Sequence, residues 1–389
     1  MQPELIADCV HCGFCLPACP TYSLWHEEMD SPRGRIHLMA GLVDGTIQLT
    51  DTVVEHFDRC LGCMACVPAC PSGVQYDRLI ETTRAEIEQR HHRTFGERLL
   101  RRLIFEVFPH RRRLRAALAL RRLPAPGPLA PLAAVAPPWL SAKWPPVHLP
   151  GPGPRVAVVA GCVQSVVFGD VNAATARVLA ADGYDVHVPK AQGCCGALHA
   201  HAGRLEEGVG RARRLADDLG GYDAIVTNAA GCGSHLKDHG IPNVVDVSEL
   251  LVDPPARADR HPLALRVAFQ DSCHLKHAQR IAAEPRAALQ AIPGLVLLEP
   301  GEQDLCCGSA GIYNLVQPQA AGELGDRKAA RVLETEPQAY ASGNPGCLVQ
   351  VTAALRRAGR PVAAFHPIEL VDASIRGLDP QAVLAAARR

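Results

Sequence analysis

The chain has 389 residues, 48% of them apolar, which is enough for two or three folded domains and excludes disorder throughout. Its 40 basic residues balance its 40 acidic ones and only 4% of its residues are aromatic, so we expect no nucleic-acid partner, which would need basic grooves with stacking rings. Its apolar runs are strand-sized, which predicts no membrane-spanning helix. A cysteine run already begins at Cys9, where a signal peptide would lie. We therefore predict a cytoplasmic chain with reduced thiols.

Two near-identical cysteine runs, each with the spacing Cys-x2-Cys-x2-Cys-x3-Cys-Pro, stand near the start of the chain. This spacing is typical of paired [4Fe-4S] clusters, in which three thiolates of one run hold one cluster and the fourth ligates the other. Structural zinc prefers two separated ligand pairs, and a disulfide framework does not explain the duplicated register. We therefore predict two [4Fe-4S] clusters. The predicted ligands are Cys9, Cys12, Cys15 and Cys70 for cluster 1, and Cys60, Cys63, Cys66 and Cys19 for cluster 2.

The segment between the two runs, residues 24–58, is too long for a compact hairpin ferredoxin. We predict helices over 31–39 and 52–57, which would separate and orient the two binding loops. After the second run, Leu79, Ile80, Thr83 and Ile87 recur at helical spacing and should pack beside the clusters. A helical two-cluster domain is therefore expected over residues 1–93.

An arginine-rich segment and a proline-rich segment follow, over residues 94–154. Residues 95–123 form two predicted amphipathic helices broken at Pro109. Two interpretations stay open, a solvated helix face and a docking surface for an acidic partner or anionic lipid. Residues 124–154 are dense in proline and predict a semi-rigid linker. The arginines of the helical part are Arg98, Arg101, Arg102, Arg111, Arg112, Arg113, Arg115, Arg121 and Arg122.

The second half of the chain alternates β-branched runs with alanine- and arginine-rich helices, which indicates parallel α/β units, and the pattern occurs twice. We predict strands over 155–160, 185–188 and 224–227 with a helix over 172–182, then strands over 266–269 and 295–298 with a helix over 278–291. Each copy places a single cysteine, an adjacent pair and another single cysteine after successive strands, where open α/β sheets bind ligands. These residues are Cys162, Cys194, Cys195 and Cys232 in the first copy, and Cys273, Cys306, Cys307 and Cys347 in the second.

Four thiols at the mouth of a sheet are best explained as ligands, because an exposed Cys-Cys-Gly would otherwise oxidise. A further iron-sulfur cluster, a zinc ion and an unoccupied thiol set all fit four sulfurs, and an iron-sulfur cluster is favoured. The predicted fold class is therefore multidomain α and α/β, an N-terminal α-helical two-[4Fe-4S] ferredoxin-like domain followed by a duplicated α/β cysteine-rich domain. The repeats are expected over 155–255 and 256–378, with a C-terminal helix over 379–389.

The tandem Cys-Cys-Gly halves resemble the cysteine-rich domain shared by heterodisulfide reductase, the anaerobic glycerol-3-phosphate dehydrogenase C subunit and lactate-utilisation proteins. The whole chain is most similar to the iron-sulfur subunits of glycolate oxidase (glycolate dehydrogenase). The resemblance runs nearly end to end and is weakest in the arginine- and proline-rich centre. It rests on residues 9–15, 19–22, 32–36, 160–164, 172–176, 193–197 and 305–311.

The resemblance implies a complex in which flavin-containing oxidase subunits oxidise glycolate or a similar 2-hydroxy acid. This chain would carry the electrons toward a quinone-type acceptor, which leaves open a peripheral contact with the inner face of the cell membrane. The sequence has no dinucleotide-binding, nucleophile-elbow or phosphate-loop motif, so hydride abstraction is expected in a partner and no catalytic residue in this chain. The iron-sulfur subunit of a glycerol-3-phosphate or lactate dehydrogenase complex is an alternative.

One departure from the heterodisulfide reductase pattern concerns the end of each half. That family ends each half in Cys-x2-Cys and uses five thiolates, whereas here His235 follows Cys232 and Gln350 follows Cys347 at that spacing. The missing fifth thiol argues against disulfide-reducing chemistry. A catalytic subunit of a heterodisulfide or quinone reductase-like enzyme remains the rival hypothesis.

Charged residues beside the predicted ligands have more than one open interpretation. Arg33 and Arg35 are expected to brace the loop between the runs or to offset the negative charge of thiolate-ligated iron, and a solvated face is the lesser alternative. His274 and His277, which follow Cys273, either stack over a metal site or cap a helix.

Overall fold

The computed structural model describes residues 3–120, 136–141, 144–252 and 258–388, and it begins with a helical domain that carries both cysteine runs. Ser31 and Thr50 cap the third and fourth helices by accepting hydrogen bonds from Gly34 N and Val53 N. The predicted helices therefore form, with bounds a few residues wider than expected. The five helices are α1 (Pro3–Ala7), α2 (Pro20–Trp25), α3 (Pro32–Asp44), α4 (Asp51–Asp58) and α5 (Tyr76–Arg90).

The core of this domain lies between α3, α4 and α5. Met39 and Phe57 are fully buried against the α5 side chains that the helical spacing had singled out. Leu79, Ile80, Thr83 and Ile87 are all buried, as predicted. The two cysteine loops pack on this core, so the helices hold them in place.

The arginine-rich segment forms two helices, α6 (Phe95–Val107) and α7 (Arg111–Ala119). Leu100, Ile104 and Phe105 of α6 are buried against residues of both cysteine-rich halves. Arg101 is also buried, 3.2 Å from Glu88 and 3.6 Å from Asp58, so part of the predicted basic face is internal. Arg121, Arg122 and residues 124–135, 142 and 143 of the predicted linker lie outside the described residues.

The cysteine-rich region contains two sheets of matching topology, as the repeat predicted. In the first sheet the order is β1-β3-β2-β4-β5, and in the second it is β7-β6-β8-β9. All pairs are parallel except β1 with β3. The strands are β1 (His148–Leu149), β2 (Arg155–Val158), β3 (Asp185–His187), β4 (Ala224–Thr227), β5 (Val244–Asp246), β6 (Arg266–Gln270), β7 (Val296–Leu298), β8 (Ala339–Ser342) and β9 (Ala363–Phe365).

Helices connect these strands and cover the two sheets. They are α8 (Gln164–Val167), α9 (Gly169–Ala181), α10 (Ala197–His201), α11 (Leu205–Asp218), α12 (Ala230–Asp238), α13 (Val247–Val252), α14 (Ala283–Gln290), α15 (Tyr313–Val316), α16 (Pro318–Glu334), α17 (Pro345–Arg357), α18 (Pro367–Ile375) and α19 (Pro380–Ala386). Among the described residues, no helix is long and apolar enough to cross a membrane.

Several predicted bounds differ from the structure. The helix predicted over 278–291 begins only at Ala283, because His274–Ala278 forms a π turn and Arg280 has a φ of 61°. The strands β1, β5, β8 and β9 were not predicted. At the C-terminus, Arg388 leaves the predicted helix and bridges to Ala364 of β9.

The two halves share one apolar core. Phe168 of the first half and Phe269 and Tyr340 of the second are fully buried in it. Across the halves, Arg177 contacts the Asp372 carboxylate through two nitrogens, at 2.9 and 2.6 Å. The halves are therefore parts of one packed body, which fixes the position of one cysteine set relative to the other.

Candidate metal centres

Two cavities in the helical domain are lined by the two groups of cysteines predicted from the runs. Cys66, a member of the second group, also lines the first cavity. The first cavity is lined by Cys9, Cys12, Cys15, Cys70 and Cys66, and the second by Cys19, Cys60, Cys63 and Cys66. The fourth cysteine of each run thus lies with the first three of the other run.

The two binding loops have the same backbone path. His11 and Gly13 in the first run, and Gly62 and Met64 in the second, occupy matching positions and all have positive φ, between 55° and 86°. These left-handed turns curl each loop around its cavity, and the backbone N–H of Gly62 donates to Cys60 Sγ at 3.3 Å. Amide donors to sulfur are one way in which a protein sets the reduction potential of a cluster.

The spacing of the sulfurs tests which metal these residues fit. In the described part of the chain, no three cysteine sulfurs lie within 4.8 Å of one another. Sulfurs around a tetrahedral zinc ion would be about 3.8 Å apart, given Zn–S bonds of about 2.3 Å. The wider thiol-lined cavities therefore suit a cluster of several metal ions better than a single ion.

The two cavities differ in their exposure. Cys12 of the first is exposed, and it lies between Val10 and Phe14, whose relative exposures are 69% and 67%. Cys60 and Cys63 of the second are buried. The first cavity therefore opens near the surface beside apolar side chains, while the second lies inside the protein.

One arginine lies beside each cavity, Arg33 at the first and Arg35 at the second. Arg33 donates to the His11 carbonyl at 3.0 Å and pairs with Glu28 at 2.6 Å, which holds the first loop. Arg35 is buried, where it donates to the His56 carbonyl at 2.6 Å and to Thr21 Oγ1 at 3.2 Å. Both arginines therefore brace the segment between the runs, as one of the expected roles requires.

The positive charges of Arg35 and Arg84 change the pKa of a cysteine in the second cavity. Burial, reinforced by the negative charge of neighbouring cysteines, raises the pKa of Cys63 and Cys66 well above that of a free thiol. Burial also opposes ionisation of Cys60, but the positive charges of Arg35 and Arg84, together with hydrogen bonds from Gly62 and Tyr76, outweigh it and lower the Cys60 pKa. The guanidinium groups therefore favour the thiolate that a metal requires.

Arg84 also joins the helical domain to the cysteine-rich region. Its guanidinium donates to the Cys60 carbonyl, and it donates to the His201 carbonyl at 2.9 Å. The loop that carries the second cysteine run is therefore tied to the first cysteine-rich half.

The eight cysteines of the second half of the chain form two sets, each at the carboxyl ends of three neighbouring parallel strands, as predicted. In the first set, Cys162 Sγ lies 3.4 Å from Cys194 Sγ, and Cys195 Sγ lies 3.1 Å from Cys232 Sγ. In the second, Cys273 Sγ lies 4.0 Å from Cys306 Sγ. Contact with Cys307 raises the pKa of Cys347, which places the remaining two thiols together.

The residues at the missing fifth-thiol positions have the same packing role in both halves. His235 Nε2 lies 3.4 Å from the Gly208 carbonyl, and Gln350 Nε2 donates to the Ala321 carbonyl at 2.6 Å. The Gly208 carbonyl belongs to α11, and the Ala321 carbonyl belongs to α16. Both side chains are buried, so they anchor these helices.

The same two carbonyls explain the glycine of each Cys-Cys-Gly. Gly196 and Gly308 have φ of 93° and 88°, and an added Cβ would lie 2.1 Å from the Gly208 oxygen and 2.6 Å from the Ala321 oxygen. A larger residue would therefore push the helix away from the cysteine pair.

The second set lies against the second cavity of the helical domain. Cys306 and Cys63 belong to one apolar cluster together with Leu61 and Tyr313. In contrast, Cys195 packs in the core of its own half, against residues such as Leu236. Among the described residues, apolar contact with a cysteine run is therefore seen for the second set and not for the first.

The surroundings of the two sets differ in charge. Lys328 of α16 is buried, and the charges of Cys306 and Cys307 act on it, although burial lowers its pKa overall. Counting from Gly208 and Ala321, the matching position of α11 is Leu215, which is also buried. The second set thus has a basic group where the first has an alkyl side chain.

The histidines after Cys273 lie beside the second set. His274 Nδ1 is 3.7 Å from Cys273 Sγ, and His277 Nε2 is 3.2 Å from the Asp304 carbonyl. Both rings are buried, and neither is a helix cap, because the turn they form is a π turn. His277 therefore supports the loop that leads into Cys306.

Lys328, Tyr313 and Arg84 were not singled out from the sequence. The sequence did contain a sign that Lys328 is buried, since it falls on the apolar face of α16 between Leu324 and Val332. No sequence pattern indicated the roles of Tyr313 and Arg84, because these depend on contacts between domains.

Comparison with known proteins agrees with this geometry. The 4Fe-4S dicluster domain family matches residues 5–74, and the Cysteine-rich domain family matches residues 156–237 and 267–352. The probable glycolate oxidase iron-sulfur subunit of Bacillus subtilis (strain 168) is 36% identical, over 95% of this chain and 94% of that protein. The chain belongs to the glycolate oxidase iron-sulfur subunit family. The Escherichia coli (strain K12) glycolate oxidase iron-sulfur subunit is 35% identical, over 96% of this chain and 95% of its own.

A third relative matches only part of this chain. One of the subunits of the fumarate reductase (CoM/CoB) of Methanothermobacter marburgensis is 36% identical over 57% of this chain and 46% of that protein. The matches confirm the predicted family, the order of a ferredoxin-like domain before two cysteine-rich domains, and the two [4Fe-4S] clusters.

Proposed function

We propose that this chain is the electron-transfer subunit of a 2-hydroxy acid dehydrogenase complex of the glycolate oxidase type. The observation that carries the proposal is the series of cysteine groups that runs from the exposed first cavity, through the buried second cavity, to the second cysteine-rich set. The names of its relatives in Bacillus subtilis and Escherichia coli support glycolate as the substrate of the complex.

In this proposal, oxidation of one 2-hydroxy acid to its 2-oxo acid delivers two electrons and two protons to a flavin-containing partner subunit. The chain passes the electrons on one at a time, and a quinone-type acceptor takes up two electrons and two protons. The residues of this chain hold and insulate the relay. The ligand groups are those predicted above, Cys9, Cys12, Cys15 and Cys70 for one cluster, and Cys60, Cys63, Cys66 and Cys19 for the other.

The test is substrate-dependent reduction. The chain is prepared without oxygen and mixed with its flavin-containing subunits and glycolate, and the visible absorbance of its clusters is followed. We expect bleaching that requires both the partner and the substrate. Bleaching by glycerol 3-phosphate or lactate but not by glycolate would assign the chain to one of the alternative complexes. Bleaching of the chain alone by glycolate would contradict a relay role.

We place the entry point for electrons at the exposed first cavity. Electron transfer between proteins requires close approach of the two centres, and Cys12 is exposed between Val10 and Phe14. Apolar side chains at the surface are typical of sites that a partner protein covers. The partner that fits this position is the flavin-containing subunit.

Replacing Phe14 with aspartate should slow the entry step. In the complex, the partner would lose one aromatic contact and would cover a charge instead. This change should reduce the rate of glycolate-driven cluster reduction by about tenfold or more. The matched control is Phe95→Asp, since Phe95 of α6 is also exposed, at 74%. Iron content and reduction by dithionite should be unchanged in both variants. Equal glycolate-driven rates in the two variants would contradict this placement.

We place a further redox centre in the second cysteine-rich set and not in the first. Contact between the Cys63 and Cys306 environments and the basic Lys328 support this assignment. Apolar packing excludes water between donor and acceptor, and a nearby cation offsets the negative charge of metal-bound thiolates.

Serine substitutions at matching positions distinguish the two sets. Cys306→Ser should lower the iron content below that of the wild type and remove one paramagnetic signal, whereas Cys194→Ser should leave both unchanged. The two cysteines are the first members of their Cys-Cys-Gly pairs and both are buried, so each is a control for the other. A wild type with only about eight irons, the content of two [4Fe-4S] clusters, would contradict a further iron centre.

A further inference from the structure

We propose that His148, Asp185 and His187 form a zinc site that fastens β1, a short strand near the end of the proline-rich segment, to the first cysteine-rich half. None of these three residues lines either cluster cavity. The site is independent of the cysteine chemistry and of the proposed electron-transfer function.

The sheet register brings the three side chains together. His148 of β1 lies directly opposite His187 of β3 in the antiparallel pair. Asp185 precedes His187 by two residues on the same strand, so its side chain is on the same face. The two imidazole rings stack with their centroids 4.3 Å apart.

Both Nε2 atoms converge on one carboxylate. His148 Nε2 lies 2.7 Å from Asp185 Oδ1, and His187 Nε2 lies 3.1 Å from Asp185 Oδ2. Within the described residues, this is the one group of three or more His, Cys, Asp or Glu side chains whose ligand atoms are all within 4.8 Å of one another. Two imidazole nitrogens and a carboxylate oxygen are a ligand set that zinc uses, with a fourth position left for water.

The surroundings allow a dication to enter. About half of the His148 side chain is exposed, and the other two are partly exposed, so water and metal ions reach the group. The other charged neighbour is Arg155, whose Nε is 4.0 Å from Asp185 Oδ2, and its own side chain is mostly exposed. The aromatic neighbour of His187 is Tyr222, at 5.2 Å between ring centroids.

The position of the site gives the metal a structural role. The strand β1 has only two residues and pairs only with β3, at the edge of the sheet. Such a short edge strand gains little from its backbone hydrogen bonds alone. A zinc ion held by residues of both strands would cross-link them and fix the end of the segment that leads from the helical domain.

Zinc binding by the cluster-containing protein tests the site. The oxygen-free protein is titrated with zinc chloride, and bound zinc is counted after gel filtration, in the wild type and in His148→Gln, His187→Gln and Asp185→Asn. His92→Gln, which changes an exposed histidine of the helical domain, is the matched control. We expect the wild type and the control to bind one zinc ion more than the other three variants.

Two further measurements keep the result unambiguous. Iron content and visible absorbance are recorded for every sample, since zinc bound by cysteines would remain in the histidine variants. Zinc should raise the unfolding temperature of the wild type and of His92→Gln, but not that of the three site variants, because only a metal that binds the folded state stabilises it. Equal zinc content in wild type and site variants, with folded protein and intact clusters, would overturn the proposal.

Discussion

Cys19→Ser should abolish the same cluster as Cys60→Ser, although Cys19 lies in the other cysteine run. The expected result follows from the second cavity, which is lined by Cys19 together with Cys60, Cys63 and Cys66. Serine is a much poorer ligand for iron than a thiolate, so each substitution should remove about four irons and one cluster signal. Paramagnetic resonance after dithionite reduction, with iron analysis, measures both.

The complementary pair is the control for this prediction. Cys70→Ser should reproduce the spectrum of Cys9→Ser, because these two residues line the first cavity. The two pairs should therefore give two different residual spectra. If Cys19→Ser instead matched Cys9→Ser, each run would hold its own cluster, and the crossed assignment would be wrong.

Asp30→Ala should be among the most destabilising changes in the helical domain. The carboxylate of Asp30 is fully buried, with Arg59 Nη1 at 2.9 Å, His56 Nδ1 at 3.0 Å and Arg35 Nη2 at 3.4 Å. Its removal leaves Arg35 as a buried charge without its carboxylate partner, which typically costs about 3–5 kcal/mol. We expect the unfolding temperature of the cluster-containing protein to fall by roughly 10 °C.

Two other variants distinguish the loss of a buried charge from other causes of a lower unfolding temperature. Asp44→Ala removes an exposed carboxylate of α3 that accepts hydrogen bonds only from Thr46 among the described contacts, and it should leave the unfolding temperature almost unchanged. Asp30→Asn keeps the shape of the side chain and should fall between the two. An unfolding temperature for Asp30→Ala within a degree or two of that for Asp44→Ala would contradict this view of the network.

Most of what could be predicted from the sequence came from the spacing of residues that lie close together in the chain. The cysteine runs, the repeat in the second half and the apolar positions of α5 each repeat at a short period, so a few residues suffice to recognise them. The two runs also share the proline that redirects the fourth cysteine, which is why a crossed ligand assignment could be predicted from the spacing alone.

Contacts between distant segments account for what the sequence did not predict. The strands β8 and β9 contain no β-branched residue, and β-branched runs were the signal by which strands of the same length were predicted. Arg101 was grouped with the surface arginines of its helix, and only the packing of α6 against Glu88 and Asp58 reveals that it is internal. The difference between Lys328 and Leu215 likewise has meaning only when matching positions of the two halves are compared.

The position of Arg84 has a consequence for how the subunit works. One guanidinium joins the backbone of Cys60 to that of His201, so the inner cluster loop and the cysteine-rich body move as a unit. Charge passing between them then needs no hinge motion, and its speed should be insensitive to solvent viscosity. If the partner docks at the exposed first cavity, as proposed above, any viscosity dependence of turnover would arise at the outer loop around Cys12.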